Sequence, residues 1–390
     1  MDIVKNIARY LIYFIKRKKY KYKLDSNVTL ECFDCEHETF FGYYDKSPEI
    51  NNKILFHQKI DDGLEVKVFD IDNNKIFDIA KVGTFNWQMG ARAIWIDDDI
   101  ISYNDFDGVK YICRWYSLSK NSIIRTFSYP LLDSFKKDYF LGVNFQRLRS
   151  YAKEYAYYCL PELNEKEFND YVSDGIWKVD VGSGNCSLLI SINDVLNCKR
   201  SSSFDNSYHF LNHVMISPSG KSFIFIHRYY YNGDRYDRLM YYDFKALKCL
   251  FDGKMQSHFC WIDDTSVFGY GEYNNRLGFY TINVDSLSVE FHDKLTILHP
   301  KDGHPTKYGN WVVIDSYPDL SRMQSLIAYN IKTHDIISIG EFFHDLRHKG
   351  CTRCDLHPRF SVDGKSIYID SIFSGKRHLC RIKLNGLLSE

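Results

Sequence analysis

The sequence predicts an all-β protein: a seven-bladed β-propeller with an N-terminal amphipathic helix and a partly helical insertion in its third blade. Three observations carry that prediction. First, a unit made of a polar residue, an apolar strand and a tight turn recurs about every 50 residues, which is the period of a propeller blade. Its copies are GYYDKSPEINNKILFHQ from Gly42, ARAIWIDDDIISYND from Ala91, LNHVMISPSGKSFIFIHR from Leu211, SHFCWIDDTSVFGYG from Ser257, GHPTKYGNWVVIDS from Gly303 and LHPRFSVDGKSIYIDS from Leu356. Second, an aromatic content of 16%, with 30 Tyr and 28 Phe, suits half-buried pleated surfaces. Third, eight prolines and 22 glycines exclude a collagen-like or disordered chain. A repeat spread over nearly all of 390 residues argues for one closed array rather than several domains.

Taken in order, IVKNIARYLIYFI (residues 3–15) places apolar residues at helical spacing, and KRKKYKYK follows. The apolar stretch is too short to span a bilayer, and charge after it without a cleavage site argues against a signal peptide. Eight Lys and Arg lie between Lys5 and Lys23. They would favour an anionic membrane surface by about 1 kcal/mol each, so residues 1–24 are predicted to attach peripherally to the inner membrane from the cytoplasm; the alternative is a helix packed on the propeller rim with a solvated basic linker. Residues 1–27 form this helix and linker, and residues 28–390 the propeller. NVTLECFD from Asn27 is predicted to close the ring against the last blade. Blade three carries an insertion over about 146–175, and a loop of that size usually lies over a functional face.

Formal charge is zero, so no global field draws the protein to nucleic acid. Eleven cysteines without a secreted spacing point to a reducing compartment. Two CxxC pairs, Cys32/Cys35 and Cys351/Cys354, would hold a structural zinc if ring closure joined them, but unrelated buried thiols are the favoured reading.

The innermost strand of each blade lines the channel, so the repeat position gathers Tyr43, Arg92, His213, His258, His304 and His357 at one mouth. Ends of the next strands, among them Asn104, Asn144, Arg228 and Asp315, converge on the same funnel. Imidazoles there suit either of two chemistries. Several could ligate a divalent metal acting as a Lewis acid. Alternatively His213 or His258 serves as base, with Tyr43 as acid and Arg92 neutralising a carboxylate, a set that fits β-elimination beside a uronate. Tyr44, Asn104, Asn144, Arg228, Asp315, Arg359 and Arg377 are the candidate substrate-binding residues. Trp87, Trp95, Tyr317 and Phe373 offer faces for sugar rings.

The segments FFGYYDKSP, NWQMGARAIWI, YNDFDG, LNHVMISPSGKSFIF, GHPTKYGNWVVIDSYPD and RCDLHPRFSVDGKSIYIDSIFSGKR resemble bacterial seven-bladed propellers related to oligogalacturonate lyases and, more distantly, ulvan lyases. The resemblance covers most of residues 37–385. It implies a lyase acting on acidic oligosaccharide or polysaccharide, with a manganese ion held by several His and a Gln. His213, His304 and His357 stand where those His would stand. No Gln accompanies them, since Gln88 and Gln256 lie in other blades. In ulvan lyases a His, a Tyr and an Arg carry the elimination, as His213, Tyr43 and Arg92 would here. The resemblance also implies an association with capsule and exopolysaccharide genes, and with it an alternative: a non-lyase, glycan-binding or glycosyltransferase-associated protein of polysaccharide biosynthesis at the inner membrane. A WD40-like scaffold is the weakest reading, because no WD dipeptide closes the blades.

Overall fold

The computed structural model describes residues 10, 12–33 and 36–388. Seven antiparallel sheets follow one another along the chain, each with its first strand innermost. The inner strands are Thr39–Phe40, Ile94–Trp95, Asp133–Phe135, Tyr208–Ile216, Gln256–Trp261, Thr306–Tyr308 and Arg359–Phe360. Exposure grows outward as strand position dictates. In blade four the inner strand is buried at every position after Tyr208, whereas the outer strand Ser122–Phe127 of blade two is mostly exposed.

Local chemistry sets the hairpins. Asn232 and Gly233 both adopt positive φ (51° and 84°) between Phe223–Tyr231 and Asp234–Tyr242. Asn274 and Asn275 (50° and 61°) do the same between Ser266–Tyr273 and Arg276–Asn283. Two-residue turns with both central residues left-handed match the twist of the strands they join. The apolar faces pack blade on blade: Trp115, Phe127 and Ile100 of blade two meet Phe140 and Val179 of blade three, and Phe268 and Phe279 of blade five meet Val312 and Tyr329 of blade six.

The ring is closed by the N-terminal chain. Thr29–Cys32 pairs with His378–Lys383 as the outer strand of blade seven, as the sequence predicts. Tyr22–Leu24 adds a fifth strand to blade six by pairing with Ile336–Phe343, so the propeller takes up chain ahead of the boundary expected at residue 28. Closure also brings Cys32 opposite Cys380, and the two form a disulfide. That corrects the free-thiol reading at this pair and removes Cys32 from any zinc site with Cys351 and Cys354; Cys35 lies outside the described residues. Eight other described cysteines are free thiols.

Most of the expected N-terminal helix lies outside the described residues. Ile12–Lys16 is helical, with Phe14 63% and Ile15 81% exposed. No helix among the described residues is long and apolar enough to cross a membrane.

The insertion of blade three contains the helices Phe145–Tyr151 and Glu165–Phe168 and the 3-10 turn Lys153–Tyr155. Asn144 caps the first helix through its side chain, and Asn164 with Glu167 forms a capping box on the second. The turn reaches across to Gly350–Thr352, between blades six and seven. Thus the insertion lies over the channel mouth.

Candidate functional site

At the repeat position the backbone departs from regular strand in every blade concerned. His213 sits in a break of register between Asn212 and Met215, and His258 in one between Gln256 and Phe259. His304, His357 and Arg92 each stand two residues before a short inner strand. Arg92, His213 and His357 also take positive φ (52°, 54° and 45°), a left-handed state costly for side chains of this size. Gly42, at φ 114°, lets blade one approach Met89, whose backbone a Cβ at that position would meet at 2.7 Å. Bulges and left-handed residues of this kind re-aim side chains. Here they turn the rings inward.

The result is a closed circuit of five rings. Centroid separations run 5.8 Å from Tyr43 to His213, 5.2 Å to His258, 3.9 Å to His304, 4.2 Å to His357 and 5.5 Å back to Tyr43. Blades one and four are not neighbours, so the contact of Tyr43 with His213 spans the axis of the molecule. Tyr44 fills the channel beneath, its ring 5.3–5.6 Å from His304 and His258 and its hydroxyl donating to the Phe259 carbonyl at 2.9 Å.

Each ring offers one polar atom to the centre. Among the described residues, Nε2 of His213, His258, His304 and His357 and the hydroxyl of Tyr43 are buried without a protein partner. Each would cost roughly 1–3 kcal/mol if left so. On the far side of three imidazoles, Nδ1 is held. It pairs with Asp315 at 2.9 Å in His304, with the Ser257 hydroxyl at 3.1 Å in His258, and with the Gly42 carbonyl at 2.7 Å in His357. Ser257 is in turn bonded to Asp302. A proton held on Nδ1 leaves Nε2 as a lone pair, the arrangement found behind metal-ligating histidines.

Burial pushes the pKa of His213 and His357 well below the usual imidazole range, and burial with the neighbouring His304 brings His258 to about 4. Burial also opposes charge on His304, but the Asp315 carboxylate outweighs it and raises that group. Tyr43 is raised well above 10 by burial and by Tyr44 beside it, so it is a neutral hydroxyl. Donor atoms of His304, Asp355 and His357 lie within 4.8 Å of one another and could hold a metal ion. His213, the third expected ligand, is not one of that group.

The other expected residues are held by partners within the wall. Arg92 binds Asp45 through both terminal nitrogens, at 2.8 and 2.5 Å, and the Leu132 carbonyl through Nε, so its charge is spent inside the wall. Arg359 is fully buried on Asp370 and the Tyr43 carbonyl, clamping blade seven to blade one. Arg377 donates to the carbonyls of Trp87, Thr352 and Arg353. Asn104 bridges Leu131 and Tyr157 and is fully buried; Asn144 is spent on the helix cap and Asp174. Tyr44 is a channel filler, and Asp315 positions His304 and the backbone N–H of His357. Arg228 is buried against Asp237 at 3.2 Å, and its charge favours the neutral form of His213 and acts on Tyr43 and Tyr155. Of the expected sugar platforms, Tyr317 lies 5.9 Å from His304.

Sequence reasoning missed Asp302, Asp355 and Tyr155. The first two had a signal, since DGHP and DLHP each place an aspartate two residues before the ring histidine. Tyr155 had none. The insertion carries it to 5.1 Å from His213, where Asn86 holds its carbonyl at 3.0 Å. Beneath it is a cavity of about 10 Å³, bounded by Tyr43, Arg92, Leu148, Tyr155 and His213. That is room for one water and not for a sugar.

No protein-family model matches the chain, and no curated protein sequence does. Among solved structures, an oligogalacturonate lyase in complex with manganese superposes with a TM-score of 0.61 over 94% of this chain and 98% of that one, at 15% identity. An oligogalacturonate lyase from Vibrio parahaemolyticus gives 0.61 over 93% and 98%, at 14% identity. The chain shares their fold. The tricorn protease matches 92% of this chain but only 34% of its own length, with a TM-score of 0.51 and 11% identity. The resemblance to oligogalacturonate lyase thus holds for the whole propeller, and manganese is known here only as the ion of that lyase complex.

Proposed function

We propose that the chain is a carbohydrate-active propeller that cleaves uronate-containing oligosaccharide or polysaccharide by β-elimination at the five-ring mouth. The observation that carries this reading is the circuit of four Nε2 atoms and one hydroxyl, all buried and all unpartnered. The donor set fits a divalent transition metal such as manganese, with His304, His357 and Asp355 to hold it. When bound, such an ion supplies a Lewis acid for the substrate carboxylate.

The chain's own residues do the rest. His213, kept neutral by burial, accepts the C5 proton at Nε2, and His258 stands beside it as a second base. Tyr43 hands its hydroxyl proton to O4. The C5–H and C4–O4 bonds break, and the C4–C5 double bond forms. Arg92 and Arg228, each paired with an aspartate in the wall, place positive charge beside Tyr43 for the substrate carboxylate. Entry of a sugar requires the Lys153–Tyr155 turn to lift from His213, a loop motion of the kind that gates many active sites.

One observation favours the second reading, a non-lyase protein of capsular or exopolysaccharide biosynthesis: the covered mouth admits no sugar ring. Incubation with a panel of polyuronates, followed by the ultraviolet absorbance of the 4,5-unsaturated product, decides between them. Absorbance that grows with enzyme and vanishes with chelator is expected. No absorbance on any uronate, together with no metal by elemental analysis, leaves the second reading.

A further inference from the structure

Away from the covered mouth, a group of aromatic rings is left partly open to solvent. On the outer side of the insertion, Tyr208 at the start of the blade-four inner strand is 48% exposed. Its ring stacks on Tyr151 at 5.1 Å, and Tyr151 in turn lies 5.2 Å from Tyr230. Phe168 backs the pair from 6.0 Å. A hollow of about 580 Å³ opens on one side of this stack, between the insertion and the Asn232–Gly233 hairpin, and one of about 460 Å³ on the other. Tyr151 and Tyr208 line both hollows, so the two form one groove with a ridge of stacked rings. Each hollow is of the size that small ligands occupy.

We propose that this groove binds a neutral oligosaccharide, one sugar ring lying on the Tyr208 face. The exposed ring supplies an apolar platform with a polar edge, and Asn206, Asn232 and Asn169 supply amides for hydroxyl groups. Charge decides the class. Lys153 is the single cation of the lining, against Glu154, Glu162 and Glu165, so a run of carboxylates is repelled while neutral rings are not. The groove also has a route to the mouth. Lys153 and Glu154 line it, and the next residue of the same turn is Tyr155, which lies over His213. A glycan held there runs beside the covered opening.

The inference shares the glycan chemistry of the proposed function but not its catalysis, so it is tested in full-length protein carrying His213→Ala as well as in the unsubstituted chain. Titration calorimetry with β-1,4-linked hexaoses of glucose, galactose, mannose and xylose, and with a galacturonate hexaose as control, reads binding directly. The expected result is binding of at least one neutral hexaose by both proteins, weakened about tenfold or more by Tyr208→Ala at unchanged melting temperature. Tyr230→Ala serves as the second variant should Tyr208→Ala fold poorly. The proposal is overturned by the absence of binding for every neutral hexaose, by binding indifferent to both variants, or by preference for the galacturonate hexaose in the groove. None of these bears on whether uronate is cleaved.

Discussion

Two groups of buried histidines differ in whether their ring nitrogens are all satisfied. In the body of blade four, His209 and His227 are both fully buried. His209 donates through Nε2 to the Phe204 carbonyl at 3.0 Å, its Nδ1 meets Nε2 of His227 at 3.0 Å, and Nδ1 of His227 accepts from Arg238 at 3.3 Å. Every ring nitrogen has a partner. At the mouth, His213, His258, His304 and His357 are buried to 6% exposure or less, yet each leaves Nε2 empty-handed. Burial therefore does not distinguish the two groups. What separates them is whether the hydrogen-bond chain closes on protein atoms or stops short of them.

The difference can be broken experimentally, and the largest effect belongs to the mouth. His213→Ala is expected to lower the elimination rate by roughly 10²–10⁴, while His209→Ala leaves the rate per folded molecule unchanged; equal losses in both would erase the distinction. Next in size is Asp315→Asn. It keeps the shape around His304 and removes the carboxylate behind it, so the affinity for added manganese should fall roughly 10–100-fold as measured by competition with a chelating dye. An unchanged affinity would mean that His304 is not a ligand.

A third test addresses the structural side. Burial brings His57, His209 and His292 to about 4 and His344 to about 3. They are neutral in the fold, whereas the unfolded chain takes up protons below about 6.5. Stability should thus be intact above that value and fall as pH drops from about 6.5 toward 4, by about 1.4 kcal/mol per pH unit for each such group. Urea midpoints measured at pH 7, 6 and 5 check this, and a flat profile would show that these rings are already charged or solvated.

Much of this was legible in the chain. The period near 50 placed Tyr43 and the four ring histidines on one mouth, because residues at one repeat position share one place in a closed array. The closing role of Thr29–Cys32 was also readable, since alternation marks a strand and a ring needs one from the other terminus. The side-chain roles were less legible. Arg92, Arg359 and Arg377 have the residue type of a carboxylate ligand, and nothing local reveals that Asp45, Asp370 and three carbonyls already occupy them. The disulfide escaped for a similar reason: Cys32 and Cys380 are 348 residues apart and meet only when the ring closes.

By itself, then, the sequence determined the blade repeat and the shared mouth of Tyr43 and the four histidines, because those follow from local alternation and a repeated spacing, while the count of seven rather than six blades rested on how blade three is read. Only the tertiary structure decided which buried charges are already paired, which cysteines meet, and that Tyr155 lies over His213. These depend on contacts between segments far apart in the chain, whose partners are chosen by packing and closure rather than by any pattern within either segment.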